Sequence, residues 1–156
     1  MSVAIYLAVQ TDAALVAEMA VALTSEIMER TGIKHFNVNL GDTAALCERL
    51  ITSGSYTALI AAEPSGPVGF AGLCESHALY TEGTFGIIQE FYVVPRSRST
   101  GVGAALLKAS VAQARSRGWR RLELCTPPLP EFQQSLTFYE RNGFEITGGR
   151  KMKFIA

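Results

Sequence analysis

"EFYVVPRSRSTGVGAALL", residues 90–107, passes from a strand-like apolar run through a proline and two arginines to two glycines one residue apart, then into a helical pattern. β-Branched and aromatic residues up to Val94 favour extended backbone, and Pro95 ends the run. Gly101 and Gly103 remove side chains where backbone must approach a ligand closely or take unusual dihedrals. A helix starting there presents N–H groups that lack intrahelical partners, at the positive end of its dipole. With Arg96, Arg98, Ser99 and Thr100 beside them, such a turn can hold phosphate oxygens. Glycines at a strand-to-helix turn also occur for purely structural reasons, and the spacing alone leaves both readings open. Two familiar phosphate motifs are excluded: no lysine follows the glycines as in a P-loop, and Leu106 occupies the third glycine position of the dinucleotide fingerprint.

Outward from this stretch the pattern is legible in both directions. Residues 2–9 alternate as a strand. Thr11 and Asp12 then open a helix whose Leu15, Met19, Ala22, Leu23 and Ile27 recur at helical spacing before Gly32 stops it. Asp42 is expected to open a shorter helix ending at Gly54. Strands are predicted over 56–63 and 68–76, joined through "PSGP", and over 84–94, which is apolar on both faces as in the middle of a sheet. A helix follows over about 101–117, a strand in "WRRLELCT", a helix in "EFQQSLTFYERNG", and two short strands in "FEITGGRKMKFI" around Gly148 and Gly149. The order β-α-α-β-β-β-α-β-α-β-β mixes hairpins with helical crossovers. The expected class is α+β: one mixed central sheet of about seven strands with helices on both faces.

The totals bound the function. A chain of 156 residues, 48% hydrophobic and 18% charged, is expected to form a single domain, residues 1–156. No apolar stretch is long enough for a membrane helix and no basic leader opens the chain, so the expectation is a cytoplasmic protein. Cys47, Cys74 and Cys125 show neither zinc spacing nor a disulfide framework; buried thiols are the plain reading, and no metal site is expected. Cys125 as an acyl-accepting nucleophile lacks an evident base. Residues 1–80 carry three basic against eight acidic side chains and residues 81–156 eleven against six, which points to an anionic ligand on the second half. There is no basic run with interleaved aromatics, so nucleic acid is not an expected partner.

Val93-x-Pro95-x-x-Arg98-Ser99-x-Gly101-Val102-Gly103-x-x-Leu106-Leu107 resembles the acetyl-coenzyme A loop of the GNAT superfamily of N-acetyltransferases. Phe138-Tyr139-Glu140-Arg141-Asn142-Gly143-Phe144 resembles its second signature, and the order of elements agrees with that fold. The departures are Ser99 where a glycine is usual, Arg96 for a frequent glutamate, and Phe132 for an asparagine that often contacts the pantetheine arm. The resemblance implies acetyl-CoA as acetyl donor. Its diphosphate would lie on the N–H groups of Ser99, Thr100, Gly101, Val102, Gly103 and Ala104 beside Arg98. Its pantetheine arm would pair with the backbone of Phe91, Tyr92 and Val93, the Phe91 N–H facing the thioester oxygen.

Tyr139 shares a helical face with Phe132, Ser135 and Leu136; the resemblance makes it the general acid for the departing thiolate. By strand alternation Ile88, Glu90 and Tyr92 share one face, and Phe91 and Val93 the other. A carboxylate at Glu90 needs a partner or a wet cleft. It is either one half of a structural ion pair or the group that deprotonates or anchors an ammonium substrate, with Glu75 as a possible support. "EFYVVP" further resembles a segment of diamine acetyltransferases, although Gln89 stands where those carry a second acid. The leading expectation is acetyl transfer to a small cationic primary amine. The alternatives are a protein lysine or N-terminal acetyltransferase and a non-catalytic acyl-CoA-binding regulatory module. A homodimer is a family expectation.

Overall fold

Capping residues mark the end of the first helix and the start of the second. The computed structural model describes residues 2–156. After strand β1 (Ala4–Leu7) a single tight turn leads into helix α1 (Ala13–Thr31). It ends at Gly32, whose φ of 70° lets its N–H return to the Met28 carbonyl at 2.9 Å. Helix α2 (Leu40–Ser53) starts two residues earlier than Asp42: Asn39 is the cap, its side-chain oxygen accepting from the Asp42 N–H at 2.9 Å. Asp42 sits instead in the first turn, where its charge suits the helix dipole.

Strands β2 (Thr57–Glu63), β3 (Gly66–Ala78), β4 (Gly83–Val93) and β5 (Leu122–Leu124) complete one sheet in the order β1-β2-β3-β4-β5. The first three pairings are antiparallel and β4–β5 is parallel. A parallel neighbour needs a crossover, and helix α3 (Val102–Ser116) provides it. One face of the sheet, with Ala58, Ile60, Phe70 and Tyr92, packs on Ala13, Val16 and Met19 of α1 and Cys47 of α2. The other face carries Leu59, Ala71 and Leu73 and meets α3, with Leu106 and Leu107 fully buried. Thr57 alternates to this side and accepts from Arg117 Nη2 at 2.8 Å, just beyond α3. Helices therefore cover both faces, and the class is α+β as expected.

The sheet has five strands, not seven. Residues 144–156 take no helix or strand. Gly148 and Gly149 both have positive φ, 92° and 81°, and Ile146, Phe154 and Ile155 are exposed. With no side of the segment buried, nothing fixes a strand register there. The strand expected in "WRRLELCT" shortens to three residues because Trp119 leaves the strand line and lies over Gly86. A methyl group at Gly86 would overlap the Trp119 ring. The indole N–H donates to Glu75 Oε1 at 2.9 Å, which places Glu75 on the α3 side of the sheet.

The chain divides into two compact units, the first ending at Leu124 and the second running Cys125–Ala156. The second holds helix α4 (Gln133–Arg141). Gly143, at φ 92°, turns the chain back so that the Phe144 N–H donates to the Tyr139 carbonyl at 3.0 Å.

Candidate active site

The turn after Pro95 is wound tightly by local bonds. Pro95–Ser97 form one 3-10 turn, with the Ser97 N–H donating to the Val94 carbonyl at 3.0 Å. Ser97 is buried, and the Thr100 hydroxyl donates to its carbonyl at 2.6 Å. Two residues then take left-handed backbone: Ser99 at φ 61° and Gly101 at φ 94°. Ser99 is the position where the resembled motif has glycine, and the dihedral supplies the reason. A side chain there costs on the order of 1 kcal/mol that glycine avoids. Gly101 precedes α3, whose first internal bond runs from the Ala105 N–H to the Gly101 carbonyl at 3.0 Å. Among the described residues no backbone hydrogen bond is donated between Ser99 and Ala104. These residues lie at the positive end of a 15-residue helix. Arg96, Ser97, Thr100, Gly101 and Val102 border an open hollow of about 560 Å³ on the side of Glu63 and Ser65.

Arg98 has a different place from the one its sequence neighbourhood suggests. Its guanidinium forks onto Glu26 of α1 through two bonds, at 2.6 and 3.0 Å, while its Nε–H donates to the Val93 carbonyl at 2.8 Å. The same group lies over the Tyr92 ring, 5.5 Å from its centroid. These bonds hold the Glu26 carboxyl below its usual range against the opposing effect of burial, with Arg30 contributing further. Arg98 therefore ties the loop and the end of β4 to α1, and the exposed Arg96 carries the cationic charge beside the hollow.

β4 changes character at a bulge. The register runs Gly72↔Glu90 and then Leu73↔Ile88, so Gln89 is an extra residue with no partner in β3. This corrects the expected face assignment. Glu90 and Tyr92 share the α1–α2 face, but Ile88 turns to the opposite one because the bulge falls between them. Pairing with β5 also stops here, its last partners being Ile88 and Leu124. The Val93 carbonyl points away from β3 to reach Arg98, and by alternation the backbone groups of Phe91 point to that same side. Beyond Ile88, this edge of β4 continues without a β5 neighbour.

Glu90 faces α1 and α2, and its Oε1 accepts from the Tyr56 hydroxyl at 2.5 Å. Burial first, and then the Glu90 charge and hydrogen bond, push the Tyr56 phenol well above its usual range. Burial and the same carboxylate also raise the thiols of Cys47 and Cys74. Glu75 lies on the other face and does not join this group. Sequence reading named neither Tyr56 nor Gly72; a tyrosine at the start of a strand and a glycine within one carry no separate signal.

In the second unit, Tyr139 is buried. Its ring meets Phe138 edge-on at 5.2 Å and Phe144 at 5.8 Å. Burial raises its phenol, so it remains protonated through neutral and mildly alkaline pH. Gly143 is what returns Phe144 to the Tyr139 ring, which gives a physical reason for the Phe-Tyr…Gly-Phe spacing. Among the described residues no cluster of three His, Cys, Asp or Glu could hold a metal ion, and no helix is long and apolar enough to cross a membrane.

A mixed sheet with a bulge in β4, helices on both faces and a tight turn leading into α3 defines the α+β class of this fold. The acetyltransferase (GNAT) domain family matches residues 54–146, and the chain belongs to that family. Solved structures agree in fold. A ribosomal-protein-alanine N-acetyltransferase from Brucella melitensis biovar Abortus is 21% identical with a TM-score of 0.74, covering 99% of this chain and all of that one. An aminoglycoside acetyltransferase from an uncultured soil metagenomic sample is 17% identical with a TM-score of 0.79, each chain fully covered. A transcriptional regulator from Bacillus halodurans is 21% identical with a TM-score of 0.78, covering 98% of this chain and all of that one. No curated protein matches the sequence.

Proposed function

We propose that this GNAT acetyltransferase moves the acetyl group of acetyl-CoA directly onto the primary amine of a small cationic molecule. The observation that carries the reading is the turn Ser99–Ala104. Among the described residues its N–H groups donate no backbone hydrogen bond, two left-handed residues shape the turn, and an added Cβ at Gly101 meets nothing within 4 Å. Those features fit a diphosphate. The β4 edge beyond Ile88 suits an extended pantetheine arm along Phe91, Tyr92 and Val93. Coenzyme A supplies the thioester, and the chain supplies alignment and charge. The Phe91 N–H steadies the oxyanion, Glu90 takes the ammonium proton or anchors it, and Tyr139 protonates the departing thiolate. The family match, residues 54–146, includes parts of both compact units, in keeping with the proposed single domain. The acid excess of the first half supports a cationic acceptor. No nucleic acid, membrane or metal enters this reading; a homodimer is its family-based corollary, and the proposed location is cytoplasmic.

Thiol release from acetyl-CoA across a panel of polyamines, amino sugars and amine-bearing peptides tests the proposal. Turnover of free cationic amines is expected. Turnover confined to peptides makes the acceptor a protein. Binding of acetyl-CoA without any turnover makes the chain a non-catalytic sensor, and absence of binding overturns the whole reading.

A further inference from the structure

We propose that Tyr56 is a positioning residue that fixes the orientation of the Glu90 carboxylate, and that Gly72 is there to make room for the pair. This inference rests on the reading of Glu90 as the group that handles the substrate ammonium. Tyr56 leaves the end of α2, its N–H returning to the Leu50 carbonyl at 3.2 Å, and enters the sheet on the α1–α2 face. Its ring packs against the cluster of Ile60, Phe70 and Tyr92. From there its hydroxyl reaches Glu90 Oε1 at 2.5 Å, across β3.

The crossing point is Gly72, which pairs with Ala58 on one side and Glu90 on the other. A methyl group there would overlap the Tyr56 hydroxyl and come within 2.9 Å of Glu90 Oε1. Gly72 has neither positive φ nor a turn to explain it. The close approach of two side chains over its Cα is what requires glycine.

The pair also gives the carboxylate on this bulged strand a fixed hydrogen-bond donor. The bulge at Gln89 turns Ile88 to the opposite face from Glu90. Hydrogen bonding to a carboxylate favours its charged form, whereas burial favours the neutral one. Titratable groups that feel the Glu90 charge include Tyr56 itself, Cys47 from α2 and Cys74 from β3. All three are raised and therefore neutral near pH 7, so Tyr56 acts as a donor and not as a second charge.

Tyr56→Phe removes the hydroxyl and keeps the ring. Side-chain carboxyl NMR, with Glu90 assigned by its loss in Glu90→Gln, reads the effect without depending on activity. The Glu90 titration midpoint is expected to rise by about one unit or more in Tyr56→Phe. In steady state, kcat should fall about tenfold with little change in the KM for acetyl-CoA, and the acidic limb of the pH profile should move upward. In the Glu90→Gln background the second change should add nothing. An unmoved Glu90 midpoint in Tyr56→Phe, or an equal loss of rate with and without Glu90, overturns the proposal. If Glu90→Gln turns over like the wild type, the catalytic reading of Glu90 fails. The NMR shift still decides separately whether Tyr56 orients it.

Discussion

Replacing Arg98 by lysine separates two ways in which an arginine in this loop can act. The wild-type guanidinium makes three bonds, two to Glu26 and one to the Val93 carbonyl. Lysine keeps the charge but cannot span a carboxylate fork and a carbonyl together, so about two of the three bonds are lost. A charge-assisted bond nets about 1.5–3 kcal/mol in dry surroundings, and an exposed ion pair about 0–1 kcal/mol. The side chains of Arg98 and Glu26 are 38% and 21% exposed, which lies between those limits. About 1 kcal/mol per bond gives a loss of about 2 kcal/mol, or roughly 4–8 °C in melting temperature for a domain of this size. Because Glu26 has a depressed pKa, its contribution is complete above the ordinary carboxyl value of 4.5. It is lost as pH falls through the lower folded-state value. The gap in melting temperature should therefore be full at pH 7 and close only in acid. Acetyl-CoA affinity, measured by calorimetry, should weaken only severalfold, because the loop is loosened while its N–H groups remain. Arg98→Lys melting with the wild type would refute the tether. An unchanged melt with affinity down about 100-fold would show instead that the guanidinium itself grips the diphosphate.

Tyr139→Phe should leave acetyl-CoA affinity intact while lowering turnover by about 10²-fold, the scale of acid catalysis; equal turnover removes Tyr139 from the reaction. The raised phenol also means that no falling limb below the ordinary tyrosine range should trace to Tyr139 in the pH–rate profile. Gly86→Ala should push the Trp119 ring off β4 and break its bond to Glu75, costing about 1–3 kcal/mol and about 2–12 °C in melting temperature. Trp119 is the single tryptophan, so its emission should shift to the red, and an unchanged spectrum would contradict the packing.

Much of the fold was legible because its signals are local. Helical spacing and terminal glycines placed α1 and α3 within about two residues of their ends, and β-branched runs bounded by turn residues placed β2, β3 and β4. The loop after Pro95 was legible for the same reason: its two glycines and the helix after them are neighbours in sequence. What escaped was everything that depends on a distant partner. Arg98, expected beside the diphosphate, also bonds Glu26, 72 residues away, a contact its neighbours do not announce. The last two strands were read from composition, yet a strand exists only where another offers it a ladder and a buried face.

The bulge at Gln89 shows why face assignments in β4 could not be completed from alternation. Period-two reading assumes an unbroken ladder, and one extra residue reverses every assignment on its far side. Here the reversal falls between Ile88 and Glu90, and it has two consequences at once. It turns Ile88 to the α3 side while Glu90 stays with Tyr92 and faces Tyr56. It also coincides with the end of the β4–β5 ladder, so the backbone edge that the proposed reaction needs begins where the regular sheet stops. The irregularity that defeated the alternation therefore lies beside the edge on which the proposed reaction depends. A sequence change that restored regular pairing at Gln89 would return Ile88 and Glu90 to one face and take Glu90 or Ile88 out of its present contacts.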